Sequence, residues 1–345
     1  MEEELPLYDP PESDDGLGLE DILEHFEEID ILSPPLFACR GAIVNALLRP
    51  SIEEWFGEDR KPKIITGKKR GEGGYSEVYD ATLWEGEKQW QTPLVVKRTK
   101  LGHLAEDERE LAIQLALREC ASLAILGGIE GVAEIMALYF KPSGQEIQTV
   151  QTRVPGRPLL SEKEKVPLLG ELSNLEIYQV GLRLMEILER VHAKGLIHGD
   201  LKPEQVLVDE HLETHLIDFQ MAHWEDRLPH FIEPGTMIGT ARYMSPECLQ
   251  GNWSGGRFQF DLWALGVSLF QFFSETQSNP FAFVSMEGLQ RILVDYHRGD
   301  AFLPDFDEIT HKPTRKIIQR LMAPKIQDRY PTIKEVIKDF RRIVL

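Results

Sequence analysis

Cysteine is scarce in this chain of 345 residues: Cys39, Cys120 and Cys248 are odd in number, lie far apart and show no metal-ligand spacing. That usage suits a reducing compartment. Long apolar runs are lacking too. The most apolar stretch, Phe258 to Phe273, contains Asp261 and is too short to cross a bilayer comfortably, so it reads as a buried core helix. The opening MEEELPLYDP has neither the basic n-region nor the apolar h-region of an export signal, and a cytoplasmic protein without a membrane segment is expected. Positive charge is thin at the start. Residues 1–60 hold 17 acids and 3 bases, net −14, within a formal charge of −19 for the whole chain. Nucleic acid and anionic lipid are bound through basic surfaces, so neither is expected as a partner. No internal repeat is evident.

What is present begins with a core. A hydrophobic content of 42% over this length suffices for one two-lobed domain plus an extension. Residues 1–17 combine Glu, Asp, Pro and Gly with few apolar groups, a composition that predicts mobility. Apolar residues Leu19, Ile22, Leu23, Phe26 and Ile29 then recur at helical spacing, and a second short helix is expected over Leu36–Leu48, between Pro35 and Pro50. These two elements serve to cover an apolar patch of the same chain or to dock a partner. From about Ile64 the pattern turns to strands, interrupted by the turn region WEGEKQWQTP. A helix is expected over Ala105–Leu126, with strands near Ile135–Phe140 and Ile147–Val154. Beyond Gly156 the chain reads as mainly helical. Ser173 with Glu176 forms a capping box before a long amphipathic helix that leads to His198, and Thr332 with Glu335 repeats the pattern before a last helix over Ile333–Ile343.

Three motifs carry chemistry. Arg70–Tyr79, RGEGGYSEVY, places Gly71, Gly73 and Gly74 in a strand-turn-strand setting where bare backbone amides can meet phosphate oxygens. Lys97 ends the strand LVVK, and Glu119 lies in RECASLAIL on the following helix. Ile197–Phe219, IHGDLKPEQVLVDEHLETHLIDF, sets out a phosphoryl-transfer site. Asp200 can accept a hydroxyl proton, Lys202 can neutralise a travelling phosphoryl group, and Gln205 with Asp218 can hold magnesium.

The order and spacing of these motifs resemble the eukaryotic-like serine/threonine protein kinases over about residues 66–340. The resemblance implies an α+β, two-lobed fold: a small antiparallel-sheet N-lobe with one helix, about 61–154, and a larger helical C-lobe, about 155–345, after an acidic extension over 1–60 that is partly disordered with two short helices. It implies ATP and Mg2+ (or Mn2+) as cofactors and a protein as substrate. Gly71, Gly73, Gly74 and Val78 would then hold ATP, with Ser76 at the third glycine position. Lys97 would bind its α and β phosphates and Glu119 would orient that lysine. Asp200, Lys202 and Thr240 would be catalytic, Gln205 and Asp218 metal ligands. In GTARYMSPE, Thr240 would bond to the catalytic aspartate and lysine. Asp261 would hold the catalytic-loop backbone and Arg329 would pair with Glu247. The hinge would lie near Gln151–Pro155, with Val150 or Gln151 as gatekeeper.

Three positions depart from the pattern. Gln205 stands where the family has Asn, Gln220 where it has Gly, and Gly199 where an arginine often precedes the catalytic aspartate, which makes obligatory loop phosphorylation less expected. A scaffold that binds nucleotide without turnover therefore remains the alternative to an active enzyme. So does a kinase held off by residues 19–48 until a partner removes them.

Overall fold

Buried and partly exposed residues alternate from Leu94 to Arg98 in the segment LVVKRTK, and this period of two marks a central strand of a sheet. The computed structural model describes residues 3–5, 62–85, 88–89, 91–140, 145–161, 167–224, 240–249, 258–282, 288 and 304–343. The two helices expected over 19–48 lie outside these residues. The chain divides into two units, Met1–Gly128 with Ala133–Val154, and Ile129–Val132 with Pro155–Leu345. Passage from one to the other at Val154 and Pro155 falls within the expected hinge.

The first unit contains strands β1 (Glu3–Leu5), β2 (Pro62–Glu72), β3 (Ser76–Glu85), β4 (Lys88–Gln89), β5 (Leu94–Lys100), β6 (Ile135–Phe140) and β7 (Glu146–Thr152), with helix α1 (Glu106–Leu126) between β5 and β6. The sheet is antiparallel in the order β1-β2-β3-β5-β7-β6, and β4 pairs with β3. Residues directly opposite in such a ladder share a face. Val78, Lys97 and Thr149 therefore lie on one side. Val96 and Val150 lie on the other, in an apolar layer with Ile64, Ala81 and Leu94. Helix α1 starts with Glu106, Asp107 and Glu108, acids that suit the positive end of the helix dipole, and the Glu108 carboxylate accepts the Ala105 N–H at 3.2 Å.

Two boundaries in this unit differ from expectation. Glu3–Leu5, placed by composition in a mobile segment, pairs with Ile64–Thr66 because the edge of β2 offers unpaired backbone groups. β7 stops at Thr152 rather than Val154, since its ladder with β5 runs out at Leu94.

In the second unit the long helices are α2 (Asn174–Ala193), α4 (Gln259–Phe273), α5 (Lys312–Leu321) and α6 (Ile333–Phe340); α3 is one turn, Pro246–Leu249. The Ser173 capping box forms as expected, with Glu176 accepting the Ser173 N–H at 2.8 Å. Ile177, Val180, Leu184, Ile187, Leu188 and Val191 turn inward from α2. Helix α4 is buried on almost every side, including Trp263 and Asp261, which accounts for its nearly unbroken apolar sequence. None of the described helices is long and apolar enough to cross a membrane. Thr332 corrects an expectation: it stands at the N-cap of α6, but its side chain makes no capping bond, and Glu335 N–H bonds to its carbonyl instead. The helix also ends at Phe340, because the chain turns through an Ile343 N–H bond to the Phe340 carbonyl that returns Ile343 to the core.

Short strands complete the unit. β8 (Arg157–Pro158), β10 (Val206–Val208) and β11 (Thr214–Leu216) form one sheet, and β9 (Leu196–Ile197) pairs with β12 (His223–Trp224). Arg329, fully buried, meets the Glu247 carboxylate through two parallel bonds of 2.7 and 2.8 Å, as expected for a buried arginine. Its guanidinium also lies over the Trp263 ring, 4.8 Å from the centroid, and donates to the Ala323 carbonyl. Replacing Arg329 by Ala strands a buried carboxylate, and urea unfolding should register a loss of about 3–5 kcal/mol. Arg329→Lys should recover only part of it, because an ammonium cannot reproduce the two-pronged contact.

Candidate active site

The glycine-rich segment folds as the hairpin between β2 and β3, closed by a Gly73 N–H bond to the Ser76 carbonyl at 2.7 Å. A Cβ added at Gly71 or Gly74 would meet nothing within 4 Å. Packing within the chain therefore does not require those glycines. Val78 and Lys97 face the same way from neighbouring strands. Lys97 Nζ meets Glu119 Oε2 at 2.8 Å, with the lysine side chain 13% exposed and the glutamate 4%. Such a pair holds a long side chain in one orientation and leaves its charge available. The register also settles which gatekeeper candidate shares the lysine's side. Gln151 lies opposite Val95 on the Lys97 face, whereas Val150 lies opposite Val96 on the other.

The second unit gathers the catalytic segment around Asp261. This carboxylate accepts the backbone N–H groups of His198 at 2.8 Å and Gly199 at 3.0 Å, and His192 Nε2 lies 2.8 Å from it. Burial by itself would raise the Asp261 carboxyl, but the hydrogen bonds from His192 and from the His198 backbone N–H outweigh it and hold the group below its ordinary range. His198 carries the restraint onward. Its Nε2 bonds to the Ile217 carbonyl at 3.1 Å and must donate, which leaves Nδ1 to accept the Asp200 N–H at 3.3 Å. Sequence reasoning passed over His192 and His198; the only signal was two histidines flanking the apolar turn HAKGLIH.

Gly199 has φ +80°, and a Cβ there would lie 2.5 Å from the Met221 carbonyl oxygen. The absence of arginine at this position is therefore a conformational fit as well as a lost charge. The expected catalytic trio comes together beyond it. Asp200 Oδ1 accepts the Thr240 N–H at 2.9 Å and Oδ2 accepts Lys202 Nζ at 2.6 Å. Lys202 Nζ also donates to Thr240 Oγ1 at 2.6 Å. The carboxylate and the ammonium remain partly open, 12% and 17% exposed. A carboxylate and an ammonium are thus fixed side by side with part of each open to solvent.

Gln205 ends the 3-10 turn Pro203–Gln205 and is tied by backbone to the other strand of the hairpin, Ile217 N–H donating to its carbonyl at 3.0 Å. Its side-chain nitrogen donates to Asp218 Oδ2, also at 3.0 Å. Asp218 has φ +67°, while Gln220 is not among the residues of positive φ, so this conformation makes no use of glycine's freedom at that position. A divalent magnesium ion takes oxygen ligands and commonly one or two carboxylates with phosphates and water. Asp218 fits that requirement. Gln205 presents nitrogen to the carboxylate and, so oriented, fits less well.

Two outcomes follow from this geometry. Gly199→Ala and Gly199→Arg should each destabilise the fold by at least about 1–2 kcal/mol in urea unfolding, because both force a side chain into the left-handed region against Met221. For Asp261, whose folded pKa is depressed, the stabilisation is present above the usual carboxylate value of 3.8 and lost as pH falls through the folded value. The stability difference between the protein and Asp261→Asn, measured by denaturant unfolding, should therefore shrink below about pH 4.

Comparison with known proteins agrees with this geometry. The protein kinase domain family model matches residues 64–340. The serine/threonine-protein kinase ksg1 of Schizosaccharomyces pombe is 28% identical over 218 residues, covering 59% of this chain and 34% of that protein. PKH1 of Saccharomyces cerevisiae is 23% identical over 281 residues, 78% of this chain and 34% of its own length. The probable serine/threonine-protein kinase PknB of Lactococcus lactis is 25% identical over 280 residues, 79% of this chain and 40% of its own. The chain thus spans about a third of the length of the yeast relatives. With the family model covering most of its length, and with a mixed α+β structure of an antiparallel sheet plus one helix followed by a helical unit, the chain belongs to the protein kinase domain family.

Proposed function

We propose that the protein transfers the γ-phosphoryl group of ATP to a serine or threonine hydroxyl of a protein substrate. The observation that carries this reading is the Asp200–Lys202–Thr240 cluster, in which one carboxylate is held by a backbone N–H and an ammonium. The acceptor oxygen bonds to the γ-phosphorus as the bond from that phosphorus to the β,γ-bridging oxygen breaks, releasing ADP. Asp200 orients the hydroxyl and takes its proton. Lys202 offsets the negative charge of the group in transit, and Thr240 keeps base and lysine in register.

Gly71, Gly73, Gly74 and Val78 hold ATP in this reading, and Lys97, oriented by Glu119, binds its phosphates. Asp218 holds a divalent cation, Mg2+ or Mn2+, which when bound neutralises phosphate charge. Gln205, the second expected ligand, can offer its amide oxygen only after turning. The acidic residues 1–60 serve as a docking segment for a protein partner, and the protein works in the cytoplasm.

One observation favours a second reading, a nucleotide-responsive scaffold without turnover: Gln205 faces Asp218 with nitrogen rather than oxygen. Phosphoryl transfer separates the two. With radiolabelled ATP, generic serine/threonine substrates and either Mg2+ or Mn2+, the full chain should transfer label, and Asp200→Asn should reduce the rate by about 10²–10⁴-fold. Transfer no faster than in Asp200→Asn, from folded protein that still binds ATP, would establish the scaffold.

A further inference from the structure

Gln205 is tied to the segment carrying Asp218 by two bonds that act differently. The backbone link, Ile217 N–H to the Gln205 carbonyl at 3.0 Å, extends the β10–β11 ladder beyond Val206 and Leu216 and holds Gln205 against the residue before Asp218. The side-chain link runs from Gln205 Nε2 to Asp218 Oδ2 at 3.0 Å. Its polarity is forced, because an ionised carboxylate only accepts and the amide must therefore turn its nitrogen toward it. The amide oxygen, on the other branch of the same planar group, then points elsewhere. For that oxygen to join Asp218 around one cation, the amide must rotate by half a turn and give up the bond.

We infer that Gln205 is a positioning residue that competes with a divalent cation for Asp218, holding the carboxylate in place when no cation is bound and raising the cation concentration needed to occupy the site. The inference rests on the reading of Asp218 as the cation-holding carboxylate. Two further observations support it. Asp218 sits at φ +67°, in the left-handed region that aspartate enters more readily than most non-glycine residues, and the Gln205 amide bonds its side chain there. Side-chain length also matters. An asparagine at 205 is shorter by one methylene, so its amide should bond less well to Oδ2 than the glutamine amide does at 3.0 Å.

The sign of the effect is fixed by which atom is contested. A hydrogen bond to a charged acceptor is among the stronger ones, and a cation that uses Oδ2 must displace it. Removing the donor should strengthen cation binding by about threefold to tenfold, even though the side chain that could have supplied an amide oxygen is also removed.

The test uses the full chain saturated with ADP and Mn2+ as the probe, free Mn2+ being counted from its electron paramagnetic resonance signal. Gln205→Met keeps the length and removes both donor and acceptor; Gln205→Asn keeps the amide and shortens its reach. Both variants should bind Mn2+ about threefold to tenfold more tightly than the unchanged protein, while their cation-free melting temperatures fall because Asp218 loses a restraint. A purely structural role would lower melting temperature without tightening Mn2+. Weaker or unchanged Mn2+ binding in Gln205→Met overturns the inference. Asp218→Asn checks the reading beneath it: loss of Mn2+ binding supports that reading, and unaltered affinity shows that the reading of Asp218, rather than the role of Gln205, has failed.

Discussion

A buried carboxylate that accepts backbone N–H groups fixes a chain segment more firmly than side-chain packing can, and Asp261 does this for the catalytic segment. It rises from the most thoroughly buried helix of the second unit and takes the N–H groups of His198 and Gly199, with His192 as a further partner. A carboxylate in such a place would be costly without partners. With them, the cost becomes a restraint, because the loop cannot leave without exposing an unpaired buried charge. His198 passes the restraint to Asp200 through Nδ1, and to the hairpin carrying Asp218 through the Ile217 carbonyl. Asp200 and the hairpin carrying Asp218 are therefore set against one rigid reference.

Within each unit the charged groups of the motifs are held by an opposite or neutral partner at short range. Lys97 has Glu119, Lys202 has Asp200 and Thr240, Asp218 has Gln205, and Arg329 has Glu247. The pairs differ in what burial does to them. Arg329 and Glu247 are closed off from water and act as a structural tie, whereas Asp200 and Lys202 keep some exposure and so stay accessible from solvent. Exposure rather than residue type separates the two pairs.

The departures from the family pattern are answered locally. At 199, a backbone with positive φ pressed against the Met221 carbonyl suits glycine, so the missing arginine does not leave a defect in the fold. At 205, the longer amide reaches the neighbouring carboxylate and bonds to it. At 220, the turn after Asp218 closes with an Ala222 N–H bond to the Phe219 carbonyl and does not draw on glycine's freedom.

The sequence by itself determined whatever depends on spacing along one element or on the chemistry of a motif. The helix expected over Ala105–Leu126 runs from Glu106 to Leu126, the Ser173 cap followed from a four-residue pattern, and the grouping of Asp200, Lys202 and Thr240 was implied by the resemblance of their motifs to the protein kinases. Thr332 shows where such reading fails: the residues of a capping box were present, but backbone bonds met the same need and the side chain was not used. Only the tertiary structure decided the remainder. The direction of the Gln205 amide, the choice of Gln151 over Val150 on the Lys97 face, the part played by His192 and His198, and the conformational demand for glycine at 199 all depend on atoms brought close by the fold from distant positions. Composition and periodicity report which faces are buried. They carry no information on which donor meets which acceptor, because that is set by distances of about 3 Å that exist only once the chain has packed.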